Sequence, residues 1–290
     1  MPHVDAGALR IAYDERGEGE PLVLLMGLAW PRVYWDDAFC DRLAAKGFRV
    51  IRMDARDVGE SDFLEEMPPN IGRIVQAAFA GESVEAPYSL SDMALDVVGL
   101  LDALGIERAH VCGSSLGGMV AQTLAIEHPG RLSSLTSIMS STGDRALPLG
   151  TPAAMEILFT PIPAERDAAV AHQVASFRIF SASAFDEARA TRLAERGFDL
   201  QAHVPPLLRQ TGAARQLAAM LTSGDRVQAL GQVAIPSLIV HGSDDPLVPL
   251  AAGQQTAECI PGARMLEIEG MGHDLAPPFW DTVIGALKTW

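Results

Sequence analysis

The segment HVCGSSLGGM, residues 110–119, crowds two serines and three glycines onto the end of a short apolar run, and few folds accommodate that. Residues 109–113 are too few and too apolar for an exposed helix and read as a strand buried on both faces. Leu116, Val120 and Leu124 then recur at helical spacing until Pro129-Gly130 stops the pattern. The glycines therefore occupy a sharp strand-to-helix turn. A residue at the apex of such a turn has a strained backbone and close packing, so it needs small neighbours two positions away on either side. For Ser115 these are Gly113 and Gly117, whereas for Ser114 they are Cys112 and Leu116. Ser115 is the apex residue.

The same alternation runs through most of the chain. PLVLLMG (21–27) and FRVIRMD (48–54) are short buried-strand patterns separated by a helix-like stretch at 35–46. Ser89 with Asp92 three residues on starts a helix in capping-box fashion, and Met93, Val97, Leu100, Leu101 and Leu104 carry its apolar face to Gly105. Further strands are expected at 131–140, 236–242 and 264–269, and further helices at 251–259 and 280–287. Strands that alternate with helices imply an α/β fold with a mostly parallel central sheet flanked by helices. From 141 to 233 Ala-rich helical stretches replace the strand pattern. The expected organisation is a core of 1–141 and 234–290 with an inserted helical cap, or lid, at 142–233. Residues 62–88 read as a long loop with an amphipathic piece, IGRIVQAAFA, that also covers the sheet.

Composition narrows the partners. A formal charge of −15 argues against binding a phosphate backbone, so nucleic acid is not expected. The start of the chain lacks a basic, apolar leader and no apolar run approaches the roughly 20 residues that span a bilayer. A cytoplasmic protein with no membrane span is expected, as monomer or homo-oligomer. Cys40, Cys112 and Cys259 are far apart, without the paired spacing of zinc sites, and read as reduced, buried residues.

A serine hydroxyl attacks only when a base removes its proton and a third group orients the base. Of the seven histidines, His273 lies in a glycine-flanked loop (EGMGHDLAP) after the last expected strand, whereas His241 ends a strand and reads as packed there. For the acid, HGSDDPLVP (241–249) places Asp244 and Asp245 at the carboxyl edge of the sheet, where open α/β sheets build their sites. Pro246 biases Asp245 toward an extended or turn conformation that points off the strand end. Asp244 reads as solvated or turn-capping, and Asp144, just past another strand, is the second candidate.

Together, Gly113-Ser114-Ser115-Leu116-Gly117, His241-Gly242-Ser243-Asp244-Asp245 through Pro249, and Gly272-His273 resemble the α/β-hydrolase fold superfamily, from Gly7 to Trp290. The family's pattern places the acid on Asp245. DARDVGES (54–61) matches its DxRGxGxS segment except for Asp57 where Gly is usual, and Met26-Gly27-Leu28 stands where His-Gly-x is usual. Both departures resemble the branch of aclacinomycin methylesterase. The resemblance implies a carboxylesterase-type serine hydrolase that needs no metal or organic cofactor. Ser115, His273 and Asp245 would form its catalytic triad, and the backbone N–H groups of Leu28 and Leu116 its oxyanion hole.

A serine at the elbow argues against the haloalkane dehalogenases and epoxide hydrolases of this fold, which use Asp there, and Cys112 lies three positions before Ser115. Lactonases, C–C bond hydrolases, iminopeptidases and cofactor-free perhydrolases share the triad and stay open, as does a non-enzymatic small-molecule receptor. Met26, Trp30, Phe159, Phe177, Phe180 and Met220 are candidates to line an apolar pocket for a small-molecule ester.

Overall fold

The computed structural model describes residues 2–65, 69–80, 82 and 84–287. Its strands are β1 (His3–Ala6), β2 (Leu9–Arg16), β3 (Glu20–Leu25), β4 (Phe48–Met53), β5 (Ala109–Ser114), β6 (Leu132–Ile138), β7 (Ser237–Gly242) and β8 (Arg264–Ile268). They form one sheet in the order β1-β2-β4-β3-β5-β6-β7-β8. Strands β3 to β8 run parallel, and β2 pairs antiparallel with both β1 and β4.

The helices are α1 (Asp37–Ala44), α2 (Ile71–Ala80), α3 (Leu90–Ala103), α4 (Leu116–Glu127), α5 (Pro152–Phe159), α6 (Arg166–Phe180), α7 (Glu187–Leu200), α8 (Pro206–Thr222), α9 (Val227–Leu230), α10 (Leu250–Cys259) and α11 (Trp280–Leu287). Helices α5 to α9 all fall between β6 and β7.

Alternation along the parallel strands divides the core into two layers. Val23, Leu25, Val111 and Leu135 pack with α3 and α4 through Val97, Leu100, Val120 and Leu124. Leu22, Leu24, Leu238 and Val240 face the other way, onto Phe39 and Leu43 of α1 and Trp280, Val283 and Ile284 of α11. Both faces of these strands are covered, which is why they are apolar at nearly every position. Helix α3 begins with a reciprocal capping box, in which the Asp92 N–H donates to Ser89 Oγ and the Ser89 N–H to the Asp92 carboxylate.

Two features differ from the sequence reading. The β1–β2 hairpin has no buried-strand pattern because its outer residues are exposed. The amphipathic helix α2 packs against α8 rather than on the sheet. Parts of the 62–88 loop, and residues 288–290 at the end of the stretch of family resemblance, lie outside the described residues.

The register aligns the strand ends that matter for chemistry. Leu25 of β3 pairs with Met53 of β4 and Gly113 of β5, and Gly242 of β7 pairs with Ile268 of β8. Met26, Ser115, Asp245 and His273 therefore all follow the carboxyl ends of neighbouring strands, on one edge of the sheet.

Candidate active site

Ser115 has φ +51° and ψ −118°, a left-handed conformation uncommon outside glycine. The surrounding residues impose it. A Cβ on Gly113 would lie 2.0 Å from the Gly117 carbonyl oxygen, and one on Gly117 would lie 2.3 Å from the Leu25 carbonyl oxygen. The Ser115 N–H donates to the Ile138 carbonyl at 2.9 Å, and the Ser140 hydroxyl donates to the Ser115 carbonyl at 2.7 Å. β5, β6 and α4 thus clamp the turn at both peptides. Ser114, by contrast, is buried and directs its hydroxyl to the Met26 sulfur.

Asp245 is buried just past β7. Its Oδ1 accepts the N–H groups of Leu247 and Val248 at 2.9 and 2.8 Å, the local turn expected of an acid preceding proline. Its Oδ2 lies 2.8 Å from His273 Nδ1 and 3.4 Å from His241 Nε2. Burial alone would raise the Asp245 carboxyl, but the facing His273, the hydrogen bond from its Nδ1 and the nearby His241 outweigh it and hold the acid well below the usual carboxylate range. Asp144 is engaged elsewhere, accepting from Gln255 of α10 and from the Ala146 N–H. Asp244 is exposed and accepts from the Ser243 hydroxyl.

His273 is held from the other side by the helices between β6 and β7. Its N–H donates to the Phe180 carbonyl at 2.7 Å, and the Phe180 ring meets the imidazole edge-on. The adjacent Asp274 carboxylate, also buried, takes a guanidinium hydrogen bond from Arg189 of α7 and one from the Ser181 hydroxyl, each at 2.7 Å. Gly272 is obligatory, since a Cβ there would lie 2.0 Å from the Phe180 carbonyl oxygen.

Ser115 and His273 line one cavity of about 80 Å³ together with Met26, Leu28, Trp30 and Phe180. A Cβ on Gly27 would lie 3.4 Å from Ser115 Cβ, so the loop after β3 runs alongside the serine. Leu116 opens α4, and its N–H is among the first-turn donors that a helix cannot use internally. A second, larger cavity of about 340 Å³ lies among the helices between β6 and β7 and shares Leu28, Trp30, Tyr34, Leu158 and Phe180 with the small one.

Of the six pocket candidates, Met26, Trp30, Phe159 and Phe180 line one or both cavities. Phe177 and Met220 do not. Phe177 stands behind the wall, tilted against Trp30 and stacked on Tyr34, and Met220 packs onto the core layer that contains α3 and α4. Cys112 is fully buried in β5 and its thiol is pushed far up by desolvation, which leaves no thiolate for chemistry.

Three further contributors take roles that the sequence does not assign them. His241 does pack at its strand end, but its Nε2 also faces the acid and donates to the Val248 carbonyl at 2.8 Å. The Arg189–Asp274 pair and Gln216 of α8, which accepts the Ala29 N–H at 2.8 Å, are contacts between distant segments. Among the described residues no group of His, Cys, Asp and Glu could hold a metal ion, and no helix is long and apolar enough to cross a membrane.

A serine elbow after β5, with an acid after β7 and a histidine after β8 on one sheet edge, is the architecture of an α/β hydrolase. The chain belongs to that family: a family model of the α/β-hydrolase fold matches residues 20–277. It is 30% identical over 275 residues to rhodomycin D methylesterase DauP of Streptomyces sp. (strain C5), covering 88% of this chain and 85% of that protein. It is 27% identical over 283 residues to the 2-hydroxy-6-oxononadienedioate/2-hydroxy-6-oxononatrienedioate hydrolase of Paraburkholderia phymatum, covering 91% of this chain and 85% of that one. The fold superposes with a TM-score of 0.76 on 2-hydroxy-6-oxo-6-phenylhexa-2,4-dienoate hydrolase from Rhodococcus sp. strain RHA1, at 19% identity and covering 98% of this chain and 95% of that one.

Proposed function

We propose that this α/β hydrolase cleaves carboxylic esters of apolar small molecules through an acyl-enzyme on Ser115. The observation that carries the reading is Ser115, strained at its elbow, sharing a small cavity with His273, whose Nδ1 is hydrogen-bonded to Asp245. In this mechanism His273 accepts the Ser115 proton as the oxygen attacks the ester carbonyl. The Leu28 and Leu116 N–H groups stabilise the oxyanion. His273 then protonates the leaving alcohol and activates the water that releases the acid. Asp245 stays ionised throughout, fixes the Nδ1–H tautomer and stabilises the imidazolium.

Residues 142–233 act as the cap in this reading, enclosing the larger cavity and setting specificity. The two cavities are unequal, and the small one adjoins the nucleophile. That inequality favours an ester with one small arm, seated by Trp35, Phe39 and Trp280, and one bulky apolar arm against Trp30 and Phe180. The likeness to a methylesterase supports the same division. Arg189 in the small cavity is neutralised by Asp274, so it offers no free cation to an acidic arm.

A fluorophosphonate should label Ser115, and Ser115→Ala should remove ester turnover while the protein melts as before. A folded wild type that is neither labelled nor active on p-nitrophenyl esters of any acyl length would instead assign the fold a receptor role. Retained turnover in Ser115→Ala would move the nucleophile elsewhere.

A further inference from the structure

Gly27 to Trp30 forms a four-residue turn, closed by the Trp30 N–H donating to the Gly27 carbonyl at 3.3 Å. Its third residue, Ala29, has φ +57° while Leu28 has none of the positive φ values. Positive φ at the third position alone marks a type II turn, where glycine is the ordinary choice because any Cβ is strained there. Something outside the turn must hold Ala29 in place.

That hold comes from a helix far away in sequence. Gln216 of α8 is 1% exposed, and its Oε1 accepts the Ala29 N–H at 2.8 Å while its Nε2 donates to the Arg56 carbonyl at 2.7 Å. Because one partner is a backbone donor and the other a backbone acceptor, the amide has one orientation only. The single side chain therefore joins three pieces: the loop after β3, the loop after β4, and α8.

We infer that Gln216 is a positioning residue for the oxyanion hole: by accepting from Ala29 it holds the turn that carries the Leu28 N–H beside Ser115. This rests on the reading of Ser115 as nucleophile and Leu28 as oxyanion donor. Without the acceptor, Ala29 relaxes toward negative φ, the closing Trp30-to-Gly27 hydrogen bond loosens, and the Gly27–Leu28 peptide, which carries the Leu28 N–H, loses its fixed aim. The oxyanion exists only in the transition state, so the loss falls on turnover and not on ground-state binding in the cavities. It also makes turnover depend on how α8 is seated over the sheet edge.

The test compares wild type with Gln216→Met, which keeps the length of the side chain and removes both hydrogen bonds. Three quantities are read: steady-state kinetics on a p-nitrophenyl ester, the affinity of an alkyl boronic acid, and the affinity of the carboxylic acid product. The boronic acid forms a tetrahedral, anionic adduct on the serine and so reports the oxyanion site; the product does not. Gln216→Met should lower kcat roughly 10²-fold, the scale of one lost oxyanion donor. KM and product affinity should stay within about twofold, and boronate affinity should fall in step with kcat. Gln216→Glu keeps an acceptor for Ala29 and should recover part of kcat.

If Gln216→Met does not fold, Gln216→Asn, too short to span both partners, carries the same comparison. An undiminished kcat beside an active wild type labelled at Ser115 overturns the assignment alone. So does equal weakening of boronate and product, which would make Gln216 a general prop. A wild type that is inert and unlabelled overturns the esterase reading and the assignment with it.

Discussion

Asp57 shows how one residue can depart from a pattern and be compensated locally. It has φ +67°, a conformation that glycine adopts without strain, and an aspartate there carries both strain and a buried charge. Arg215 of α8 answers the charge with a bidentate pair, 2.8 and 2.6 Å, in which neither side chain is exposed. Removing one partner of a buried pair strands the other. Asp57→Asn, which tolerates the same backbone, should lower the unfolding free energy by about 3 kcal/mol. Asp57→Gly combined with Arg215→Met should regain most of that loss, and denaturant midpoints at constant m-value check both. The triad candidates are legible in the sequence because each sits under a local backbone demand: two glycines around Ser115, a proline after Asp245, a glycine before His273. Gln216 is not legible, since its hydrogen bond to Ala29 spans 187 residues and asks only for a polar residue on a helix. Apolar spacing likewise does not tell that Phe177 and Met220 lie off the two cavities, because it marks a buried face of a helix without saying which neighbour it meets.

At the scale of elements, helix α3 has signals that agree with one another: a capping box at its start, an apolar face, and Gly105 at φ +66° just past its end. Leu100 lies on the buried face and is fully enclosed, while Leu95, five residues earlier, is 51% exposed. Leu100→Ala should cost about 2–5 kcal/mol because the strands below cannot close over the void. Leu95→Ala should change stability by no more than about 0.5 kcal/mol. Equal effects in thermal or denaturant unfolding would mean that the helix presents a different face. The parallel strands were legible because enclosure on both sides leaves an unbroken apolar run. The β1–β2 hairpin was not, since an edge hairpin with one wet face leaves only a weak alternation, in which charged residues such as Asp5 and Arg10 face each other across the pair.

The whole molecule carries a formal charge of −15, and its carboxylates divide into two kinds with opposite responses to acid. Unpaired surface carboxylates repel one another, so protonating them favours the compact state. Asp245 behaves the other way, because the two imidazoles and two backbone N–H groups around it favour the ionised form in the folded protein. Its folded pKa is depressed below the unfolded value of 3.8. Its contribution to stability is therefore complete above that value and is lost as pH falls through it toward the lower folded pKa. Asp245→Asn provides the reference, since it keeps the shape and removes the titration. The stability difference between wild type and Asp245→Asn, from denaturant unfolding, should narrow steadily as the pH falls below about pH 4. A gap that stays the same down to pH 3 would mean that Asp245 is not preferentially ionised in the fold. The His273–Asp245 bond would then be an ordinary neutral contact, and the acid would not serve to stabilise an imidazolium during turnover.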